Sequence, residues 1–386
     1  MGGGARAAYQ VGVLSGILEI LDPSKSAAFR NPFPIICGSS AGAINAAALA
    51  CRADAPHVAI DHLLHLWGNI RTEMVYAADA SGLFYTGLRW FGMLATGWLM
   101  PDKRGQNPRS LLDNRPLGKL LSATLDFEHL RHNLNRGLLD AVAITATAYT
   151  SGEHLTFYQS HHTIKSWRRS LRRAIPCRIG VDHLLASSSI PFVFPAQAML
   201  VHGQTEWCGD GSMRQLAPMS PAIHLGAKKI VVIGTGHRDD THTEQRTVNS
   251  SYPTLAQIGG HALSNIFLDS LSMDVERLER INELLALMPS NVLNNQSLRP
   301  INSFVITPSR SLDEIAMEYL YKMPRAARTL FRVLGVSSAS GTATGGALIS
   351  YLLFEASYTQ ELIKLGRADS MSRVEEVKAF FKETPT

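Results

Sequence analysis

The chain carries a serine flanked by glycine two positions away on either side, in Gly38-Ser39-Ser40-Ala41-Gly42. This is the G-x-S-x-G pattern of a nucleophile elbow, where a sharp strand-to-helix turn exposes the serine Oγ. The two glycines leave room for neighbouring backbone. Ser40 is therefore the candidate nucleophile, with Gly38 and Gly42 supporting its turn. The chemistry would be acyl transfer through a covalent intermediate. Such chemistry needs a base for the serine proton and hydrogen-bond donors for an oxyanion.

Two further segments could supply them. Gly2-Gly3-Gly4-Ala5-Arg6 precedes a helical pattern, and glycines in that position leave backbone N–H groups free to hold an anion. Gly2, Gly3, Gly4, Ala5 and Arg6 are the candidate oxyanion hole. A plain turn and a nucleotide phosphate loop are the other readings. The phosphate loop requires Gly-Lys followed by Ser or Thr, which Arg6-Ala7 does not provide. Asp210, followed by Gly211 and Ser212, is the candidate base, although an Asp-Gly pair alone reads as a turn. A Ser-His-Asp triad is the rival arrangement. His224, His237, His242 and His261 all follow Asp210, and none sits in a recognisable catalytic turn.

The elements around these residues follow from periodicity. Residues 7–21 read as a helix and residues 35–37 as a short buried strand. Residues 41–51 form an alanine-rich helix, so residues 38–42 make a strand-to-helix turn. Residues 57–72 read as helical, and 140–147 and 155–158 as strands. Residues 199–202 and 205–208 form a hairpin across His202-Gly203-Gln204, with Asp210 directly after it. A helix over 218–226, a strand over 229–234, a long helix over 254–288, a strand over 302–307 and terminal helices over 347–365 and 372–382 complete the reading. Alternating strands and helices argue for a parallel sheet covered on both faces. A glycine turn normally follows a strand, so a β-strand is expected ahead of Gly2 that the chain as written does not contain.

Taken together, GGGAR at 2–6, GSSAG at 38–42 and DG at 210–211 resemble the patatin-like phospholipase family. The surrounding text is similar too: AYQVGVL after the glycines, ASSSIPFVFPA before the aspartate hairpin, and PMSPAIHLGAKKIVVI after it. The motifs span residues 2–235, and the tail resembles bacterial members. The chain departs from the family pattern at Ala7, usually glycine, and at Ser212, usually glycine or alanine. The resemblance implies a three-layer α/β/α fold with a mostly parallel central sheet. It implies a catalytic core over 1–235 and a helical extension over 236–386, with one further strand at about 302–307, packed on the same domain. It further implies a Ser–Asp dyad of Ser40 and Asp210, with Gly211 supporting the aspartate. The N–H groups of Gly3, Gly4 and Ala5 would line the oxyanion hole, with Arg6 near it. The substrate class is a phospholipid or other acyl ester, cleaved in phospholipase A or lysophospholipase fashion, and no cofactor or metal is expected. A Ser-His-Asp esterase, an acyltransferase and a non-catalytic membrane-surface protein are the alternatives.

Bulk properties narrow the classes. The 386 residues are 45% hydrophobic and 18% charged, a globular composition. A net charge of +5 without a nucleic-acid motif argues against nucleic-acid binding. Four cysteines without C-x-x-C spacing favour a reduced, cytoplasmic setting, with peripheral membrane contact or export as alternatives. No secretory leader is visible. Residues 83–100 are aromatic and apolar, with Phe84, Trp90, Phe91 and Trp98, and read as a pocket lining or cover. Lys165, Arg168, Arg169, Arg172 and Arg173 share one face if 165–174 is helical, with Trp167, Leu171 and Ala174 opposite. Such a basic amphipathic helix suits an anionic membrane surface, while a solvated charged face is the plainer reading.

Overall fold

Helix α1 (Ala7–Leu21) is apolar around nearly its whole circumference, and it is buried accordingly. The computed structural model describes residues 2–77, 110–236, 269–289, 298–333, 335–336 and 345–382. Strand β1 (Ile35–Ser39) leads through Ser40 into α2 (Ala41–Cys51), and then come α3 (Pro56–Gly68) and the short α4 (Thr72–Val75). Two helices, α5 (Arg115–Thr124) and α6 (Phe127–Asn135), precede β2 (Ala141–Ala148) and β3 (His154–Ser160). Next are β4 (Arg168–Arg169), β5 (Arg172–Pro176), α7 (Val181–Ser187), β6 (Gln197–Val201) and β7 (Gln204–Asp210). Helix α8 (Ser220–His224), β8 (Lys229–Ile233), α9 (Asp269–Ala286) and β9 (Asn302–Ile306) follow. The tail is helical: α10 (Leu312–Tyr319), α11 (Arg325–Val333), α12 (Gly346–Leu352), α13 (Ala356–Met371) and α14 (Val374–Lys382).

The sheet order is β4-β5-β3-β2-β7-β6, with β1 also on β2, and β8 pairs with β9 apart from it. Every residue of β2 is buried, as befits a central strand. Its side chains alternate between layers: Val142 and Ile144 join the core with α1 and α2, while Ala141 and Ala143 pack with Leu225 on the other face. Helices therefore cover both faces, giving the three-layer arrangement.

Two expectations change. The sheet is mixed rather than mostly parallel: β1–β2 and β3–β5 are parallel, while β2–β3, β2–β7, β4–β5 and β6–β7 are antiparallel. For β2–β3, β4–β5 and β6–β7 the reason is connection length, since strands joined by tight turns can only run antiparallel. Between β6 and β7 that turn is His202-Gly203, both at positive φ. The basic segment is likewise a hairpin of β4 and β5 and not a helix. Strand β5 pairs along β3, and Arg168 and Arg173 both reach Glu153 at the start of β3, at 3.2 and 2.8 Å. Backbone pairing with β3 and a largely buried carboxylate outweigh the three- and four-residue spacing of the basic residues. Trp167 stacks between Tyr158 and His224.

The tail packs against the front of the chain. Residues of α12 and α13 share one hydrophobic core with α1, α2 and α3. Tyr9 donates to Asp369 at 2.8 Å, and Arg367 grips Glu19 with both nitrogens. The expected helix over 254–288 is described from Asp269 onward; it turns Leu271, Leu278 and Leu285 inward. Residues 83–100 and the earlier part of that helix lie outside the described residues. Among the described residues no helix is long and apolar enough to cross a membrane.

Candidate active site

Strands β1 and β7 lie end to end along one edge of β2. Strand β1 runs parallel to β2 and ends with Ser39 opposite Thr145. Strand β7 runs antiparallel and ends with Asp210 opposite Ala146, the next position. Two strand ends therefore meet head-on, and residues 170 positions apart become neighbours. Ser40 Oγ donates to Asp210 Oδ2 at 2.6 Å, with the two residues only 1% and 0% exposed.

The elbow is strained in the manner of a nucleophile elbow. Ser40 sits at φ 53° and ψ −134°, which costs a non-glycine residue on the order of 1–3 kcal/mol. A Cβ on Gly38 would overlap the backbone of Gly42 and Ala43, so the first glycine of the motif is sterically required. The strain is held by hydrogen bonds: Ser40 N–H donates to Ser187 Oγ at 2.8 Å, and Ala43 N–H to Ser40 C=O at 2.9 Å. Helix α2 starts here and directs its positive end at the site.

Asp210 is held from three sides. Its N–H donates to Ser189 C=O at 2.9 Å, and its Oδ1 accepts from Ser212 N–H at 2.8 Å. The next carbonyl, Gly211 C=O, accepts from His154 Nε2 at 3.1 Å. Burial pushes the Asp210 carboxyl up to about 6, against the opposing pull of hydrogen bonds from Ser40 and Ser212. A carboxylate with that value is a better base near neutral pH than an exposed one. Burial also drives His154 down to about 4, so its ring is neutral at ordinary pH. A neutral ring bonded to Gly211 C=O carries its proton on Nε2.

The glycine loop is a single tight turn over Gly4–Arg6. Among the described residues the buried N–H groups of Gly3 and Gly4 meet no acceptor, which suits them to an anion. Gly2 contributes its carbonyl, which accepts from Thr235 Oγ1 at 2.9 Å. Asn45, one turn into α2, ties the loop to the elbow by donating to Ala7 C=O and Gln10 Oε1, both at 3.1 Å.

Arg6 departs from its expected role. Its N–H is spent on Gly3 C=O at 3.0 Å. Its buried guanidinium pairs with Asp313, donates to Ser350 Oγ at 2.8 Å and lies 4.0 Å from the Tyr351 ring centre. It joins the glycine loop to α10 and α12 rather than facing an oxyanion. Gly4, at φ +54°, lies where a Cβ would overlap Tyr351 C=O.

Three residues at the site carried no individual reading in the sequence. Ser187 and Ser189 sit inside ASSSIPFVFPA, where serines in an apolar run were a usable signal for buried hydrogen bonding. His154 offered none, being a single polar residue at a strand start. As for the triad, no histidine among the described residues bonds Ser40 or Asp210. His224 is held by Ser220 and stacked on Trp167, while His237, His242 and His261 lie outside the described residues.

A family model, patatin-like phospholipase, matches residues 1–223. No curated protein matches the chain. The match covers the elbow, the aspartate turn and the glycine loop together, and the chain belongs to the patatin-like phospholipase family, a family of lipid acyl hydrolases.

Proposed function

We propose that the protein is an acyl-ester hydrolase of the phospholipase A or lysophospholipase type, working through a Ser40–Asp210 dyad. The observation that carries this reading is the buried 2.6 Å hydrogen bond from Ser40 Oγ to Asp210 Oδ2. Ser40 Oγ attacks the ester carbonyl while its proton passes to Asp210. The tetrahedral oxyanion accepts from the N–H groups of Gly3 and Gly4. Collapse breaks the bond to the alcohol, which takes the proton from Asp210. Asp210 then draws a proton from water, the water attacks the acyl-serine, the bond to Ser40 Oγ breaks as Asp210 returns the proton to it, and a fatty acid leaves. Losing one oxyanion donor typically costs about 10²- to 10³-fold in rate.

Labelling with a fluorophosphonate tests the nucleophile. The native protein is expected to label and Ser40→Ala to remain unlabelled. Labelling that survives Ser40→Ala overturns the reading, and so does an ester-hydrolysing protein in which Asp210→Asn is fully active.

The lipid-surface contact expected of residues 165–173 takes a different form in this reading. Leu171, 56% exposed, forms the tip of the β4–β5 hairpin, with Arg169 exposed beside it. An apolar tip among cations suits an anionic interface. Co-sedimentation should then be stronger with anionic than with neutral vesicles and should weaken in Leu171→Glu. Equal binding by the variant removes the hairpin from the interface.

A further inference from the structure

Behind the dyad lies a cluster of buried hydroxyls that the reaction steps above do not use. Ser39 ends β1 and Thr145 stands opposite it on β2, so their side chains share one face of the sheet. Ser212 joins them from the turn after β7, with Ser212 Oγ 3.0 Å from Ser39 Oγ. All three residues are buried. Thr145 Oγ1 meets no partner among the described residues, so the Ser39–Ser212 pair is not shared with it.

Backbone fixes the place of this pair beside Asp210. Gly211 packs so closely on Thr145 that a Cβ there would overlap Thr145 C=O and Oγ1. Ser212 N–H donates to Asp210 Oδ1 at 2.8 Å. That bond needs only a backbone amide, which glycine or alanine would supply equally. The Ser212 hydroxyl is therefore not what closes the turn.

Electrostatics gives the hydroxyl a part to play. A buried carboxylate has lost its water and gains from each donor brought to it. Asp210 Oδ2 takes the Ser40 hydroxyl and Oδ1 the Ser212 N–H. The Ser212 hydroxyl bonds the carboxylate as well and pulls its ionisation down against burial. A hydroxyl donates and accepts at once, so Ser212 can donate to Asp210 while accepting from Ser39. Such a chain polarises and strengthens each bond. Either oxygen of the pair can be the donor. When Asp210 takes the Ser40 proton on Oδ2 and becomes neutral, the two hydroxyls can turn without losing a proton themselves.

Among the described residues no charged neighbour contributes to the Asp210 shift. His154 of β3, bonded to Gly211 C=O, is pushed down to about 4. Tyr149 after β2 and Cys208 of β7 are pushed up to about 12. All three are neutral between pH 5 and 8. On α7, Asp182 is exposed and His183 turns to Cys177. Arg214, in the same turn as Ser212, donates away to Gly152 C=O. Strand β6 carries no titratable side chain.

We propose that Ser212, backed by Ser39, is a positioning residue for the base: its hydroxyl orients the Asp210 carboxylate toward Ser40 and favours the charged form. The inference rests on the Ser40–Asp210 reading and extends it to the hydroxyls behind the dyad.

The test is the pH profile of ester turnover for the native protein, Ser212→Ala, Ser39→Ala and the double variant. Removing a donor that favours the charged form raises the pH at which Asp210 ionises. Ser212→Ala should move the acid limb up by about one pH unit. Ser39→Ala should move it less, and the double variant no further than Ser212→Ala, because Ser39 acts through Ser212. A merely structural role would lower turnover alike at every pH. An unmoved limb in Ser212→Ala overturns the proposal, and so does a double variant whose shift is the sum of the single ones. Thermal unfolding gives a second reading that needs no turnover. The melting-temperature deficit of Ser212→Ala should be larger at pH 8, where Asp210 is charged, than at pH 4, where it is neutral. Equal deficits overturn the proposal even if Ser40 labels, and unequal ones uphold it even if Ser40 does not.

Discussion

The elbow at Ser40 and the loop at Gly2–Arg6 are both tight turns that open onto a helix, yet they are held in different ways. The elbow is carried by sheet: β1 pairs with β2 up to Ser39, and Ser187 takes the Ser40 N–H. The glycine loop is carried by side chains from the far end of the chain. Arg6 reaches Asp313, Ser350 and Tyr351, and Thr235 holds Gly2. One half of the site is thus fastened by the sheet of the core and the other mainly by the C-terminal extension. The extension is therefore part of what shapes the site, even though the family match ends at residue 223.

The sharpest way to break the comparison is at the elbow itself. Ser40→Ala is expected to lower ester turnover by about 10⁴-fold or more while leaving the fold intact, as removal of a nucleophile does elsewhere. The measurement is turnover of a chromogenic acyl ester alongside a melting curve.

Asp210→Asn should cost nearly as much turnover and should stabilise the protein at alkaline pH. The native carboxyl ionises near 6, whereas an unperturbed one ionises at 3.8. Between those values the folded state binds more protons than the unfolded state, so stability falls as pH rises. The favourable contribution is complete below about pH 3.8 and lost above about 6. Removing the buried charge should therefore gain on the order of 3 kcal/mol at pH 8 and nothing below pH 4. Native activity should climb as pH rises through about 6, following the ionised base. A flat profile across pH 5–7 would contradict this.

Arg6→Met probes the other half of the comparison. It leaves Asp313 and Ser350 without their cation, and breaking a buried pair this way costs about 3–5 kcal/mol. Asp313 is partly exposed, which places the expected loss at the lower end. Turnover should fall with KM little changed, because in the proposed mechanism the loop's N–H groups serve the oxyanion and not the ground state. Fluorophosphonate labelling of Ser40 should slow but persist. Arg6→Met with wild-type turnover would uncouple the extension from the site.

The smallest effect belongs to His154→Phe. Losing the bond to Gly211 C=O lets the aspartate turn relax, and about a tenfold drop in kcat is expected. His154→Gln, which can donate to the same carbonyl, should recover part of it. Equal activity of all three proteins would show that Ser189 and Ser212 suffice to hold Asp210.

Much of this was legible in the residues. The elbow was the clearest case, because G-x-S-x-G between an apolar strand and an alanine-rich helix is a local pattern with a local cause. The β6–β7 hairpin was equally plain, since His202-Gly203 can take the positive φ a two-residue turn demands. The basic segment misled for an instructive reason. Spacing of three and four residues is compatible with a helix, but whether a helix forms depends on what lies alongside. Here the open edge of β3 and the carboxylate of Glu153 lay alongside. Arg6 misled similarly: its place beside the glycines suggested the site, and its partners lie some three hundred residues away, as in Arg6 to Asp313 at a separation of 307.

The sequence by itself determined the elbow at Ser40, its strained turn and the helix behind it, because those depend on φ, ψ and steric room within a few residues. Only the tertiary structure decided that Asp210 meets Ser40. That meeting requires two strands to end at adjacent positions on β2, a matter of register between distant segments. It also decided that Asp210 titrates near 6, since the shift comes from burial by the surrounding chain and not from any neighbour in sequence.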